Sequence, residues 1–328
     1  MRHRSVVVSL IIAAAVLGAA SSAAAHGLSG KRFFPATLSI DDPFVADELS
    51  LPTIGHIKRP GDGDQPATRE TRINAEFSKR LSPNFGVSLG GSLRLLDPDG
   101  GPSISGFDNL EVAIKYVFFN SPEHETLLSV GLGWDVGGTG SRKIGAESFD
   151  TVTPSLFFGK GLGDLPDSLD WFKPLALTGT VGVGIPTRHA TKTSRVTEDG
   201  DIEIDREVNR RVAKWGFSIQ YSFQYLQSFV RDVGLPSPFS RMIPLVEFAM
   251  RTPLDGPRAG LTTGTINPGV IWFGRYLQIG LELQIPVNER TGTHVGVLGQ
   301  LHFYLDDILP KVFTWTPFHG TLGPAVPR

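Results

Sequence analysis

Trp215-Gly216-Phe217-Ser218-Ile219-Gln220-Tyr221-Ser222-Phe223-Gln224-Tyr225 places an aromatic or aliphatic residue at every odd position and Gly, Ser or Gln at every even one. Successive side chains of a β-strand point to opposite faces, so this stretch, read as a strand, has one wholly apolar face and one small polar face. Leu277 to Ile285 repeats the pattern. So does Phe85 to Leu95, with Gly86, Ser88, Gly90, Ser92 and Arg94 on the polar side. Leu128 to Val136 follows, with Ser129, Gly131, Gly133 and Asp135.

Length decides between a soluble sandwich and a membrane barrel. Sandwich strands run to about 5 or 6 residues, whereas a strand that crosses a bilayer takes about 9 to 11. The runs here are of the longer kind and recur from residue 71 to residue 305. Their polar face carries Gly, Ser and Gln rather than the Lys, Glu and Thr of a wet surface. The expected fold is therefore all-β, a transmembrane antiparallel up-and-down barrel.

Eleven strands are predicted, over 71–80, 84–95, 107–119, 125–136, 149–160, 173–187, 211–226, 242–252, 263–275, 276–287 and 295–305. Short turns such as Leu81-Ser82-Pro83-Asn84 alternate with long polar loops such as Arg188 to Arg210. Bacterial barrels keep both chain ends on the short-turn side and have an even strand number. A strand must then rise before residue 71, and 48–58 supplies the twelfth. On this scheme Trp134 and Trp215 fall at the outer rim and Trp171 and Trp272 at the inner one, the interfacial depths that tryptophan favours.

The ends are read separately. Arg2, His3 and Arg4, the apolar run Val6 to Leu17 and Ala23-Ala24-Ala25 make residues 1–25 an export signal peptide. Residues 26–47 are broken by Pro35 and Pro43 and mixed in polarity, and are read as either a plug in the lumen or a periplasmic lead-in. The barrel occupies 48–307 and a tail 308–328, although a terminal aromatic strand is the usual signal to the barrel-assembly machinery. Without residues 1–25 the net charge is about −4, which gives no reason to expect nucleic acid as a partner. There is no cysteine, so the exported chain must be held by packing and closed strand pairing.

Little in the sequence points to bond chemistry. Glu198, Asp199, Asp201, Glu203, Asp205 and Glu207 crowd one loop around a turn at Asp199-Gly200, but the spacing departs from a calcium loop. It reads as a solvated outer loop beside lipopolysaccharide. His26, at the mature N-terminus, lacks a second histidine suited to a copper brace, and the other histidines show no metal spacing. No cofactor and no metal are expected. A Gly-x-Ser-x-Gly elbow is absent, and nothing in the sequence supports Ser-His combinations such as Ser92 with His302 as the pair of a lipid hydrolase.

What remains is a set of polar-face charges: Glu76, Arg94, Glu111, Lys115, Asp135, Lys214, Glu247 and Glu282, with His302 on the last strand. A charge facing lipid at mid-bilayer costs about 2–4 kcal/mol for Arg or Lys, so these side chains should point inward. There they either pair across the lumen or set the selectivity of a pore.

In strand count, in its Gly/Ser lumen face and in strands such as Phe217-Ser218-Ile219-Gln220-Tyr221-Ser222-Phe223, the chain resembles the outer-membrane barrels named for the MetA pathway of phenol degradation. The resemblance spans residues 70–305 and implies uptake or efflux of small solutes, hydrophobic or aromatic ones included. It carries no site residue across. The functional expectation is an outer-membrane channel for passive passage of small molecules, not an enzyme. Its rivals are a lipid hydrolase at the barrel rim and a closed barrel serving as an anchor.

Overall fold

The computed structural model describes residues 27–61, 63, 66–196 and 202–318. Residues 1–25, read above as an export signal, His26 and the turn at Asp199-Gly200 lie outside these residues. Twelve long antiparallel strands form a closed barrel: β1 (Glu48–Arg59), β2 (Thr68–Ser82), β3 (Phe85–Pro98), β4 (Leu110–Ser121), β5 (Thr126–Val136) and β6 (Thr151–Gly161) make one half. The other half is β7 (Leu175–Pro186), β8 (Val212–Tyr221), β9 (Met242–Pro253), β10 (Thr263–Phe273), β11 (Leu277–Pro286) and β12 (Gly296–Tyr304). Each strand pairs with its neighbours in sequence, and β12 closes on β1 with Tyr304 opposite Glu48 and Val297 opposite His56. Closure leaves no free edge along the wall, the condition for strands to sit in lipid, where an unpaired backbone group has no water to turn to.

The period-two pattern maps onto two faces. Leu89, Ile114, Leu132, Leu156, Val181, Ile219, Leu281, Leu283 and Val297 point outward and are exposed. Such a continuous apolar belt would be a liability in water and is the lipid face of a membrane barrel. Small and polar residues face inward, and Ser129, Thr178, Ser218, Asn267 and Gln278 are fully buried there. Trp134 and Trp215 lie at the upper rim, Trp171 and Trp272 at the lower rim, where the chain enters and leaves.

Two details differ from the sequence expectation. The strand predicted over 211–226 ends at Tyr221, although alternation continues to Tyr225. Ser222 caps a helical turn there, its Oγ accepting from the Tyr225 N–H at 3.1 Å. Two lower connections, 162–174 and 222–241, are long rather than short, and they fold into helical turns over Asp167–Phe172, Phe223–Tyr225 and Leu226–Val230. Above the upper rim, Ala190–Val196 pairs with Ile202–Val208 as a hairpin.

Residues 27–47 thread the inside of the barrel. A minimal hairpin, Leu28–Ser29 against Arg32–Phe33, sits at the lower rim. The chain then runs through the lower lumen, where Phe34, Ala36, Phe44 and Ala46 pack against Val117, Leu127 and Ala176 of the wall. Phe33 and Leu38 pack against Ile243, Leu245 and Ile271. Close approach explains two of the lumen glycines. A Cβ at Gly280 would lie 2.6 Å from the Leu38 side chain, and one at Gly216 would lie 2.6 Å from that of Ile40.

Candidate functional site, the lumen chamber

Above the plug the lumen widens into a chamber of about 2130 Å³. Its floor is the upper surface of residues 36–48, and its walls come from most of the strands. The segment is held in the lower lumen by polar bonds as well as packing. An irregular segment leaves its backbone N–H groups without ladder partners, and buried N–H groups must find acceptors. Glu247 supplies them, accepting from the N–H groups of Leu38 (2.9 Å), Ser39 (2.8 Å) and Ile40 (3.1 Å). Glu282 accepts from Ser39 Oγ at 3.1 Å, Gln278 donates to the Ala36 carbonyl at 2.6 Å, and Ser129 donates to the Pro43 carbonyl.

Of the nine candidate residues, Glu247 and Glu282 are therefore covered by the plug and do not face the open chamber. Glu76, Arg94, Glu111, Lys115, Asp135, Lys214 and His302 line it. They do not form one cluster. Arg94 belongs to a group high on β1 to β3 in which Glu70 is held by Arg59 (3.1 Å), Arg72 (3.1 Å) and Arg94 (3.0 Å), with Asp108 3.6 Å from Arg94. Asp135 and Lys214 face each other at 3.9 Å. Lys115 points down at the plug, donating to Asp41 Oδ1 and to the Asp42 carbonyl, both at 2.7 Å, with its ammonium 4.7 Å from the Phe157 ring centre. Glu111 and Glu76 project from the wall into the same space, and Glu76 accepts from Ser78 at 3.4 Å.

His302 meets Ser50 rather than Ser92. Its Nδ1 lies 2.8 Å from Ser50 Oγ and its Nε2 lies 3.4 Å from Glu48. Sequence reading missed Ser50, Glu48, Glu70, Arg59 and Arg72. Ser50 and His302 are 252 positions apart and meet only because the first and last strands close the barrel. Glu70 and Arg72, by contrast, sit on the polar face of β2 together with Glu76, Arg72 inside the predicted strand 71–80 and Glu70 one residue before it.

At the lower rim Arg32 locks the hairpin of the plug to the barrel. Its guanidinium is buried, pairing with Glu125 at 3.1 Å and donating to the carbonyls of Pro174 (2.9 Å) and Lys173 (2.5 Å). It also stacks over Tyr225, 3.9 Å from the ring centre. Tyr225 Oη donates to the same carboxylate at 2.8 Å, and the Gly163 N–H does so at 3.1 Å. Burial pushes the Tyr225 phenol up to about 12, and the bond to Glu125 adds to it. Burial also draws the Arg32 guanidinium below its ordinary value, against the opposing pull of Glu125. The long lower connections 162–174 and 222–241 thus supply the receptor for this latch.

No family model matches the chain, and no curated protein sequence matches it. Its likeness to solved structures is one of fold. An outer-membrane channel from Pseudomonas putida F1 superposes with a TM-score of 0.50 at 10% identity, over 83% of this chain and 99% of that one. The transport unit of the autotransporter AIDA-I from Escherichia coli gives 0.45 at 11% identity, over 79% and 89%. NanC porin gives 0.41 at 9% identity, over 77% and 98%. At such identities the first of these shows a shared outer-membrane β-barrel fold, and the cargo is a separate question.

Proposed function

We propose that the protein is an outer-membrane channel through which small solutes pass passively, with residues 27–47 as an internal obstruction that must shift for passage. The observation that carries the reading is the chamber itself. A barrel serving only as an anchor has no use for about 2130 Å³ of space lined by charges of both signs. The plug closing its lower end is held by hydrogen bonds that water can replace. The apolar belt, the signal segment at the N-terminus and the fold shared with an outer-membrane channel support export to the outer membrane. The resemblance to the phenol-degradation barrels points the same way.

A lipid hydrolase needs its serine where an acyl chain reaches it. Ser50, the serine bonded to His302, faces the lumen floor instead. Its partner nitrogen is Nδ1, with Glu48 at Nε2, the reverse of the usual serine-hydrolase relay.

The test is bilayer conductance of purified protein whose folding is first established by the shift between unboiled and boiled samples on a gel. Potassium chloride current is expected, and Glu111→Gln should move the reversal potential toward anion preference, because one unpaired lumen carboxylate is lost. A heat-modifiable barrel that carries no current, with or without a weakened plug, would leave the anchor reading in place of the channel.

A further inference from the structure

We propose that the chamber receives a small organic anion on Arg251, Arg59 and Arg72, and that Lys115, covered by Asp41 and Asp42 of the plug, is the next anion subsite beneath it. The inference rests on the channel reading and names the class of solute.

The upper subsite follows from an imbalance of charge. Glu70 is nearly buried and its two oxygens already serve Arg59, Arg72 and Arg94. A guanidinium offers five N–H donors, so most of those on Arg59 and Arg72 remain free to face the chamber. Arg251 on β9 lines the same chamber as Arg59 and Arg72. Its side chain makes no hydrogen bond or ion pair among the described residues, and Asp135 and Glu147 line the chamber with it. Three guanidiniums thus line one chamber with donors to spare. A carboxylate or phosphate would match the planar guanidinium donors in pairs.

The lower subsite follows from the plug. Lys115 lies on the wall, but the carboxylates that neutralise it, Asp41 at 2.7 Å and Asp42 at 3.4 Å, belong to the movable segment. The plug thus presents to Lys115 what an anionic solute would present. When the segment shifts, two acids leave the path and a cation is uncovered beside the Phe157 ring. Glu76 remains on the wall nearby and limits the net gain. An anion resting on Arg251 therefore competes with Asp41 and Asp42 for the next position, which couples arrival of the solute to displacement of the plug. The opposing choice is a cation held by Glu111, Asp135 and Glu147, and the experiment decides between them.

Calorimetric titration of the folded full chain in detergent compares benzoate with benzylammonium, two probes of one size and opposite charge. Benzoate should bind the more tightly, and Arg251→Gln should weaken it roughly tenfold, the range for one charge-assisted contact. The double variant Asp41→Asn, Asp42→Asn should tighten benzoate or add a second equivalent, and Lys115→Gln should remove that gain. Tighter binding of benzylammonium overturns the inference. So does a benzoate affinity indifferent to Arg251→Gln. Binding is read without current, so the two failures stay apart: a barrel that takes benzoate but never conducts refutes the channel, and one that conducts without a benzoate site refutes the anion.

Discussion

Replacing Arg32 with alanine should raise the open probability of the channel while leaving the barrel folded. Arg32 is 1% and Glu125 5% exposed, so the substitution removes one half of a buried ion pair. Losing one partner of such a pair costs about 3–5 kcal/mol. The low end applies, because Glu125 keeps its bonds from Tyr225 Oη and the Gly163 N–H. At about 1.4 kcal/mol per factor of ten, a loss of about 3 kcal/mol shifts docking of the hairpin on the order of a hundredfold toward release. The packing of Phe34 and Phe44 is untouched, so the plug should visit the undocked state more often rather than leave the lumen for good. Single-channel recording in a planar bilayer reads this as more frequent opening at unchanged unit conductance. No ladder pair of the twelve strands involves Arg32, and the gel shift on boiling should match wild type. Gly161→Ala reaches the same latch by another route, since a Cβ there would collide with the Glu125 carboxylate and the Arg32 guanidinium. If both variants open no more often than wild type, the hairpin does not restrain the plug and the reasoning fails.

The outer face and the upper loop give two more predictions. Leu281, 60% exposed at the middle of β11, should tolerate arginine poorly in a bilayer. The expected loss of folding stability is about 2–4 kcal/mol in lipid vesicles. Equal stability of wild type and Leu281→Arg in vesicles would mean that this face does not meet lipid. In the upper loop, burial and then the neighbouring Asp135 hold the Glu147 carboxyl above the ordinary glutamate range. A carboxyl raised in the folded state favours folding least where it is ionised, so stability falls as pH rises from the ordinary glutamate value through the raised one. Glu147→Gln should therefore raise the melting temperature at pH 8 and leave it unchanged at pH 4, and a gain that is the same at both values would refute the assignment.

The wall of this barrel was legible because lipid imposes a rule that every residue on a strand must obey. Alternation located eleven strands, and the cost of a charge against lipid sent Glu111, Lys115 and Asp135 inward. Parity supplied β1, whose own sequence is weakened by Pro52 and Gly55. Where a strand stops is decided instead by local capping, and alternation through Tyr225 hid the turn that Ser222 begins. The interior of the lumen obeys no periodic rule. Residues 27–47 have no repeat to read, and their partners Glu247 and Gln278 lie more than 200 positions away. Gly216 and Gly280 were the available signal, since side chains absent from the inner face leave room for something to lie against it.

The manner in which the plug is held bears on whether it can move. Its bonds to Glu247, Glu282 and Gln278 are numerous, but each exchanges for water when the segment shifts and a polar chamber stands ready to supply that water. The net worth of such a bond is about 0.5–1.5 kcal/mol, far below its strength in a dry interior. The apolar contacts combine alanines with Phe34 and Phe44, whose packing keeps the segment in the lumen. Besides Asp47, fully buried against Lys79 and Arg80 where the segment joins β1, two places resist exchange. Arg32 is buried among Glu125, Tyr225 and two carbonyls at the lower rim, and Lys115 is capped by Asp41 and Asp42 on the upper surface. The first is closed to the chamber and sets how firmly the plug is docked, while the second faces it and can be contested by a solute. The proposed gate needs no large motion of the strands, because no ladder pair of the wall includes a residue of the segment.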